Sequence, residues 1–201
     1  MEKTRRDVAS MVALNTLAAA DELEQRFREL VLTDGPRFVR LAYHLTGGDR
    51  ELAKDVAQEA LVKAYRALPR FRAEAELSTW VTRILIHEAG NTARRQAVRR
   101  RALALWPWAS ATHEQDERSD ESGDPARGLE RERLRARIAV ALVGLSPGQR
   151  AVFALVHLEE RSVEEAAQVL GKSVGTVKSH LHRALVALRR ELGDLRTGGV
   201  S

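Results

Sequence analysis

Apolar residues recur at helical spacing from residue 22 to about residue 96. Three short segments rich in turn-forming residues interrupt the pattern: TDGP at 33–36, TGGD at 46–49 and LPRF at 68–71. These interruptions predict a compact unit of four helices.

The helix between the second and third interruptions has one apolar and one polar face. It should run over roughly 50–67, because Asp49 can cap its start and Pro69 disfavours helical geometry at the residue before it. Its apolar stripe is Leu52, Val56, Ala60, Ala64 and Leu68, widened by Leu61 and Tyr65. Its polar face carries Asp55, Gln58, Glu59, Lys63 and Arg66.

The C-terminal part of the chain divides into about four helices, and three of their starts carry capping signals. Ser146 precedes a proline, and Ser162 stands three residues before a glutamate, as in a capping box. Gly171 allows a tight turn, after which Ser173 caps a longer helix. The apolar face of that helix is Val174, Val177, Leu181, Ala184, Leu185, Leu188 and Leu192.

Small polar and basic side chains lie off the apolar face of this last helix, in its first turns: Thr176, Lys178, Ser179, His182 and Arg183. A short helix, a glycine turn and a longer helix of this kind are typical of a helix-turn-helix, whose second helix enters the DNA major groove. Spacing alone leaves open a plain helical hairpin with a solvated polar face.

The segment between these parts is acidic and almost free of apolar residues. Residues 113–132 hold eight acidic and three basic side chains together with Gly, Pro and Ser. A packed core is not expected there, so the sequence predicts a flexible acidic linker. Helical periodicity resumes near Leu134.

Composition narrows the class of protein. Of the 201 residues, 44% are hydrophobic but only 4% aromatic, which favours an all-α fold. The net charge of +5 is too modest to indicate nucleic acid by itself. The absence of cysteine excludes disulfides and thiolate metal sites.

Neither a catalytic constellation nor a glycine-rich phosphate loop is present, so no enzyme activity and no cofactor are expected. His180 and His182 should point to different faces of their helix, which argues against a metal site. No window is apolar enough to cross a membrane. Acidic residues follow the N-terminal apolar stretch closely, which argues against a secretory signal peptide. A soluble cytoplasmic protein without membrane insertion is expected.

Two stretches together resemble a known family. LSPGQRAVFALVHLEERSVEEAAQVLGKSVGTVKSHLHRALVALRREL resembles region 4 of bacterial sigma factors, in particular the extracytoplasmic-function group. DVAQEALVKAYRALPRFRAEAELSTWVTRILIHEAGNTARRQ, at 55–96, is similar to region 2 of the same group. The resemblance implies two small helical domains, region 2 at 22–101 and region 4 at 133–195. A linker at 102–132 joins them, an extension at 1–21 precedes them and a tail at 196–201 follows them.

The resemblance also implies partners and roles. The chain should bind core RNA polymerase, through the β′ clamp helices and the β flap, and promoter DNA, under the control of an anti-sigma factor. Contacts to the clamp helices would come from Asp55, Gln58, Glu59 and Lys63. The −10 element would be held by Arg72, Ser78, Trp80, Arg83, His87, Asn91, Arg94 and Arg95. The −35 element would be read by Lys172, Ser173, Thr176, Lys178, Ser179, His182 and Arg183.

Some features leave alternatives open. The family often has R-I-A-x-N in its −10 helix, whereas this chain has His87 at the asparagine position and Asn91 one turn later. Gly90 either permits a close backbone approach or is a tolerated weakness. Trp80 fits the core or base stacking. Trp106 and Trp108 fit an anchor for the linker or a contact with polymerase or an inhibitor.

Five arginines within eight residues form a basic edge that suits DNA as well: Arg94, Arg95, Arg99, Arg100 and Arg101. Two other functions remain as alternatives to a sigma factor. One is a sigma-like adaptor that binds protein partners, and the other is a helix-turn-helix regulator that binds DNA without supporting initiation. The N-terminal extension, where Met11 could be a start, is compatible with a regulatory role.

Overall fold

The computed structural model describes residues 2–104, 138 and 141–193, with side chains at 19–99, 138 and 141–193. Every regular element in these ranges is helical, so the all-α prediction is confirmed. The elements are α1 (Glu2–Thr46), α2 (Arg50–Ala67), a 3-10 turn (Leu68–Arg70), α3 (Leu77–Ala104), α4 (Pro147–Phe153), a π-helical turn (Ala154–Leu158), α5 (Val163–Leu170) and α6 (Val174–Leu192). Several predictions fall outside the described residues or side chains: most of the linker, Met11, Arg100, Arg101, Trp106, Trp108 and the tail.

The break predicted at 33–36 is wrong, because α1 runs through it with Pro36 inside the helix. Proline removes one backbone hydrogen bond and usually costs about 3 kcal/mol in a helix interior. Packing offsets that cost, since Phe27 and Phe38 on either side of the proline are buried in one core. Leu32, whose carbonyl has no N–H at residue 36 to accept from, is 82% exposed, so the proline lies on the solvent side of this turn. The predicted four-helix unit therefore consists of three helices and a 3-10 turn.

The bounds predicted for α2 are confirmed. The Asp49 side chain accepts a hydrogen bond from the backbone N–H of Leu52 at 2.9 Å, and the helix ends just before the 3-10 turn that contains the proline. Its small buried residues allow α1 and α3 to approach closely: Ala53, Val56, Ala57, Ala60 and Ala64. Tyr65, predicted on the apolar stripe, is instead 47% exposed. Its hydroxyl donates to Glu24 of α1 at 3.0 Å, which keeps the polar end of the ring at the surface.

The three helix N-caps predicted in the C-terminal part of the chain all occur. The hydroxyl of Ser146 accepts from the N–H three residues ahead, and the glutamine there returns the bond, forming a capping box. Ser162 and Glu165 form a second capping box, and Gly171 takes the left-handed conformation at φ +59°. The π-helical turn after α4, and the positive φ of +53° at Glu160 that follows it, were not expected.

The helices form two units that pack against each other: an N-terminal unit of α1–α3 and a C-terminal unit that covers 141–193. Ala151 and Ala154 of the C-terminal unit belong to the core of the N-terminal unit. Arg150 is buried and donates to the carbonyl of Leu45 at 2.8 Å. Gly47 lies so close to the other unit that a Cβ there would come within 2.4 Å of a valine side chain. We call this packed state the closed arrangement.

Candidate nucleic-acid interface

The helix-turn-helix consists of α5, the turn at Gly171 and α6. Val177 is buried among α4 and α5 residues, and Ala184 and Leu188 are buried against 141–145, so one face of α6 is fixed. The other face presents four exposed side chains: Lys178, Ser179, His182 and Arg183. This row combines hydrogen-bonding and cationic groups that can meet base edges and phosphates.

The first residues of α6 have structural tasks. The hydroxyl of Ser173 caps the helix by accepting from the backbone N–H of Thr176 at 3.2 Å. The two hydroxyls also lie 2.8 Å apart, so they share a hydrogen bond. Lys172, just before the cap, is exposed. His180 is half-buried beside α4 while His182 is exposed, so the two histidines do face different ways.

The polar face of α2 carries the residues assigned to polymerase. Asp55, Gln58 and Glu59 are exposed, as predicted from the helical pattern. Lys63 is different because its ammonium group lies 2.6 Å from Glu88 of α3 and 3.2 Å from Glu59. Lys63 therefore joins the polar face of α2 to α3.

Glu88 is a functional candidate that the sequence reasoning missed. Its side chain is only 9% exposed, and it lies on the same face of α3 as the buried Leu77, Val81 and Leu85. Burial alone would raise the pKa of Glu88, but hydrogen bonds from Lys63 and His87 outweigh burial and lower its pKa. An acidic residue in an apolar stripe was the signal that could have revealed it.

The residues assigned to the −10 element lie along α3 and in the loop before it. His87, Asn91 and Arg94 form one row along α3, in which Asn91 is half-buried and the other two are exposed. His87 Nδ1 lies 3.1 Å from Asn91 Nδ2, and Arg94 donates to Asn91 Oδ1 at 2.5 Å. Arg72 and Arg95 are exposed. The row brings an imidazole and a guanidinium within hydrogen-bond distance of the amide between them.

The start of α3 holds the other two members of the −10 set. Trp80 is half-buried and packs against the N-terminal core, with its ring centroid 5.2 Å from that of Phe71. Ser78 is half-buried, and its carbonyl accepts from the hydroxyl of Thr82 at 2.7 Å.

Arg83 connects the two candidate surfaces. Its guanidinium donates to the carbonyl of Gln168 in α5 at 2.8 Å. A second cross-link pairs Arg37 of α1 with Glu159, which follows the π-helical turn. In the closed arrangement, a side chain assigned to the −10 element therefore contacts the helix-turn-helix.

Two checks bear on other kinds of site. Within the described ranges, no three His, Asp or Glu side chains gather as ligands for a metal ion. None of the helices in the described part of the chain has the length and hydropathy required to cross a bilayer.

Comparison with protein families gives two matches in chain order. Residues 30–99 match the model of Sigma-70 region 2, and residues 135–188 match that of Sigma-70 region 4. The RNA polymerase sigma-H factor of Pseudomonas aeruginosa is 33% identical over 147 residues, which are 73% of this chain and 76% of the relative. The RNA polymerase sigma-E factor of Streptomyces coelicolor is 34% identical over 167 residues, 83% of this chain and 85% of the relative.

A third relative, the ECF RNA polymerase sigma-E factor of Escherichia coli, is 31% identical over 141 residues, 70% of this chain and 74% of its own. Two solved structures are similar as well. One is the sigma factor RpoE in complex with the anti-sigma factor NepR from Bartonella quintana, at 25% identity and a TM-score of 0.61, covering 84% of this chain and 98% of that one. The other is CnrH in complex with the cytosolic domain of CnrY, at 26% identity and a TM-score of 0.59, covering 89% and 95%.

Proposed function

Because the chain belongs to the extracytoplasmic-function group of RNA polymerase sigma factors, we propose that its two units divide promoter recognition between them. Region 2 would occupy 22–101 and region 4 would occupy 133–195, with 102–132 as the linker between them. The polymerase supplies the chemistry of RNA synthesis, so the chain itself needs no catalytic residue. Working on promoter DNA with polymerase implies action in the cytoplasm.

The exposed row on α6 is the observation that carries the proposal. Lys178, Ser179, His182 and Arg183 point away from a buried apolar face that is anchored on α4 and α5. A helix so anchored can enter the major groove without disturbing the core of its unit. We assign the −35 contacts to this row, together with Lys172 and Thr176, while Ser173 supports the row by capping the helix.

The −10 contacts are assigned to the α3 face and the loop before it. Opening the duplex costs a few kcal/mol, roughly, and side chains that bind unstacked bases offset that cost. His87, Asn91 and Arg94 are suited to this, since the three neighbouring side chains offer both donors and acceptors. Exposed Arg72 and Arg95 are suited to phosphates.

The polymerase contact is assigned to the exposed face of α2. Asp55, Gln58 and Glu59 offer carboxylates and an amide to a polar partner helix, which fits a contact with the β′ clamp helices. Lys63 supports this face through its bond with Glu59. Region 4 would contact the β flap.

The closed arrangement cannot contact both promoter elements at once. These elements lie two to three turns of DNA apart, and each turn is about 34 Å long. Arg83 and Gln168, one from each unit, are instead 2.8 Å apart. The two units must therefore separate on the promoter, and a linker of about 30 residues can span roughly 100 Å.

An anti-sigma factor is the regulator that we propose. The similarity to a sigma factor solved with the anti-sigma factor NepR supports this, as that structure matches 84% of this chain. The closed arrangement offers such a regulator both units in one place. Its binding would compete with polymerase and DNA by holding the units together.

Run-off transcription tests the proposed function. The purified chain is added to core RNA polymerase with a library of promoter fragments, and transcripts are compared with those of core enzyme alone. Transcripts that depend on the chain support a sigma factor. Duplex binding without any transcript would indicate a DNA-binding regulator, and protein binding without DNA binding would indicate an adaptor.

A further inference from the structure

We propose that Glu88 is a positioning residue: it fixes which ring nitrogen of His87 carries the proton, and so which bases the α3 face prefers. The inference rests on the proposed function, since it requires His87 to meet a base of the −10 element. It concerns a side chain that contacts no DNA itself and that was assigned no role above.

The geometry places one carboxylate between two helices. Glu88 Oε2 accepts from Lys63 of α2 at 2.6 Å. Glu88 Oε1 lies 3.3 Å from His87 Nδ1 and 3.4 Å from Asn91 Nδ2. The Glu88 side chain is 9% exposed, whereas that of His87 is 69% exposed. One edge of the imidazole therefore faces a buried anion while the rest of the ring faces solvent.

A carboxylate beside the ring decides the tautomer. Lys63 and His87 lower the pKa of Glu88 against the effect of burial, so the carboxyl is ionised at neutral pH and can only accept hydrogen bonds. His87 Nδ1 satisfies it by carrying the ring proton. When the ring is neutral, Nε2 is then bare and accepts hydrogen bonds.

Asn91 offers the competing arrangement. Its amide nitrogen is 3.1 Å from His87 Nδ1, and it could donate there if that nitrogen had no proton. The same amide nitrogen can instead donate to Glu88 Oε1. A hydrogen bond to an ionised carboxylate is stronger than one to a neutral ring nitrogen, so His87 Nδ1 and Asn91 Nδ2 should both donate to Glu88.

A bare Nε2 selects among bases. On their major-groove edges, adenine and cytosine present amino groups that donate to such an acceptor, whereas guanine and thymine present keto oxygens that do not. By that edge we call the first two bases amino-bearing and the other two keto-bearing. His87 should therefore favour an amino-bearing base at the one position that it meets. A ring with the proton on Nε2 would favour a keto-bearing base instead.

The variant Glu88→Gln reverses the tautomer while keeping the shape of the side chain. Lys63 can only donate, so it takes the amide oxygen and leaves the amide N–H groups facing His87. Nδ1 must then accept, and the proton moves to Nε2. Glu29→Gln is the matched control, because Glu29 lies exposed on α1 and its carboxylate accepts from Gln25, one turn away on the same helix.

The first measurement needs no DNA. Nitrogen-15 NMR of the labelled full chain, at a pH where imidazole is neutral, distinguishes the two tautomers of His87. We expect the proton on Nδ1 in the wild type and in Glu29→Gln, and on Nε2 in Glu88→Gln. A wild-type ring with its proton on Nε2 overturns the inference, even if the variant does not fold.

The second measurement uses holoenzyme on a promoter library with randomised −10 bases. Transcripts of the wild type and Glu29→Gln should favour amino-bearing over keto-bearing bases at one position by about threefold to tenfold, the worth of one hydrogen bond. The preference should disappear or reverse in Glu88→Gln and disappear in His87→Ala.

Two results separate failure of the inference from failure of the function. If Glu88→Gln lowers the transcript yield equally for all bases and leaves the base preference unchanged, Glu88 only stabilises the fold. A wild-type chain that yields no transcript from any promoter would refute the proposed function, while NMR still decides the tautomer.

Discussion

Replacing Arg150 by methionine should destabilise the protein more than an ordinary surface change. Arg150 is 7% exposed, and its guanidinium donates to the carbonyls of Leu45 at 2.8 Å, Val143 at 3.0 Å and Leu145 at 3.2 Å. Methionine fills much of the volume but donates nothing, so these carbonyls lose their partner.

The size of the effect follows from the burial of the three bonds. Those to Leu45 and Leu145 are buried, and the bond to Val143 is partly buried. A buried acceptor left unpaired costs about 1–3 kcal/mol. The carbonyl of Val143 should cost less, because water can reach it. We therefore expect a loss of about 2–6 kcal/mol, a large part of the roughly 5–15 kcal/mol that stabilises a typical domain.

Urea denaturation followed by circular dichroism measures this loss as a shift of the transition to lower urea. Arg150→Lys should be less stable than the wild type but more stable than the methionine variant, since one ammonium cannot reach all three carbonyls as a planar guanidinium does. Arg190→Met is the control; that side chain is 82% exposed, and its loss should stay within about 0.5 kcal/mol. A loss below about 1 kcal/mol for Arg150→Met would refute the reasoning.

Three further predictions concern single side chains. Gly90→Ala should raise the free energy of unfolding by about 1 kcal/mol, seen as a higher Tm, because an added Cβ would meet nothing within 4 Å among the described residues. Since the pKa of Glu88 is lowered in the folded state, its ion pair with Lys63 stabilises the fold above the ordinary pKa of 4.5, and this contribution is lost as pH falls through the folded pKa. The difference in the free energy of unfolding between wild type and Glu88→Gln should therefore shrink when denaturation is repeated at successively lower pH below 4.5, and a constant difference would contradict this. Arg183→Ala should weaken binding to −35 duplex about tenfold in gel-shift titrations and leave binding to core polymerase unchanged, whereas exposed Arg189→Ala should change neither. An equal loss of polymerase binding by Arg183→Ala would contradict the division of tasks between the units.

Local features of the fold could be predicted because their causes lie within a few residues. Ser146, Ser162 and Ser173 each accept from the backbone N–H three positions ahead, so the residue types alone indicate these helix starts. The polar rows of α2 and α6 were equally accessible, since helical spacing determines which side chains share a face. The exposed −35 row needed no knowledge of the other unit.

Features that depend on distant residues could not be predicted. The helix continues through Pro36 because phenylalanines on both sides enter a core built by other helices. Lys63 was assigned to polymerase from its position on α2, but its partner Glu88 is 25 positions away on a neighbouring helix. No local signal in the sequence indicated the π-helical turn at Ala154–Leu158.

The contact between the units links the fold to its proposed use. Arg83 is assigned to the −10 element, yet in the closed arrangement it donates to the carbonyl of Gln168. Promoter DNA and the helix-turn-helix thus compete for one guanidinium. Opening also exposes Ala151 and Ala154, which are buried in the N-terminal core, and breaks the bond from Arg150 to Leu45. DNA contacts by Arg83 alone cannot offset these losses, so opening requires the larger polymerase contact, and the isolated chain should not hold both promoter elements of one duplex at once.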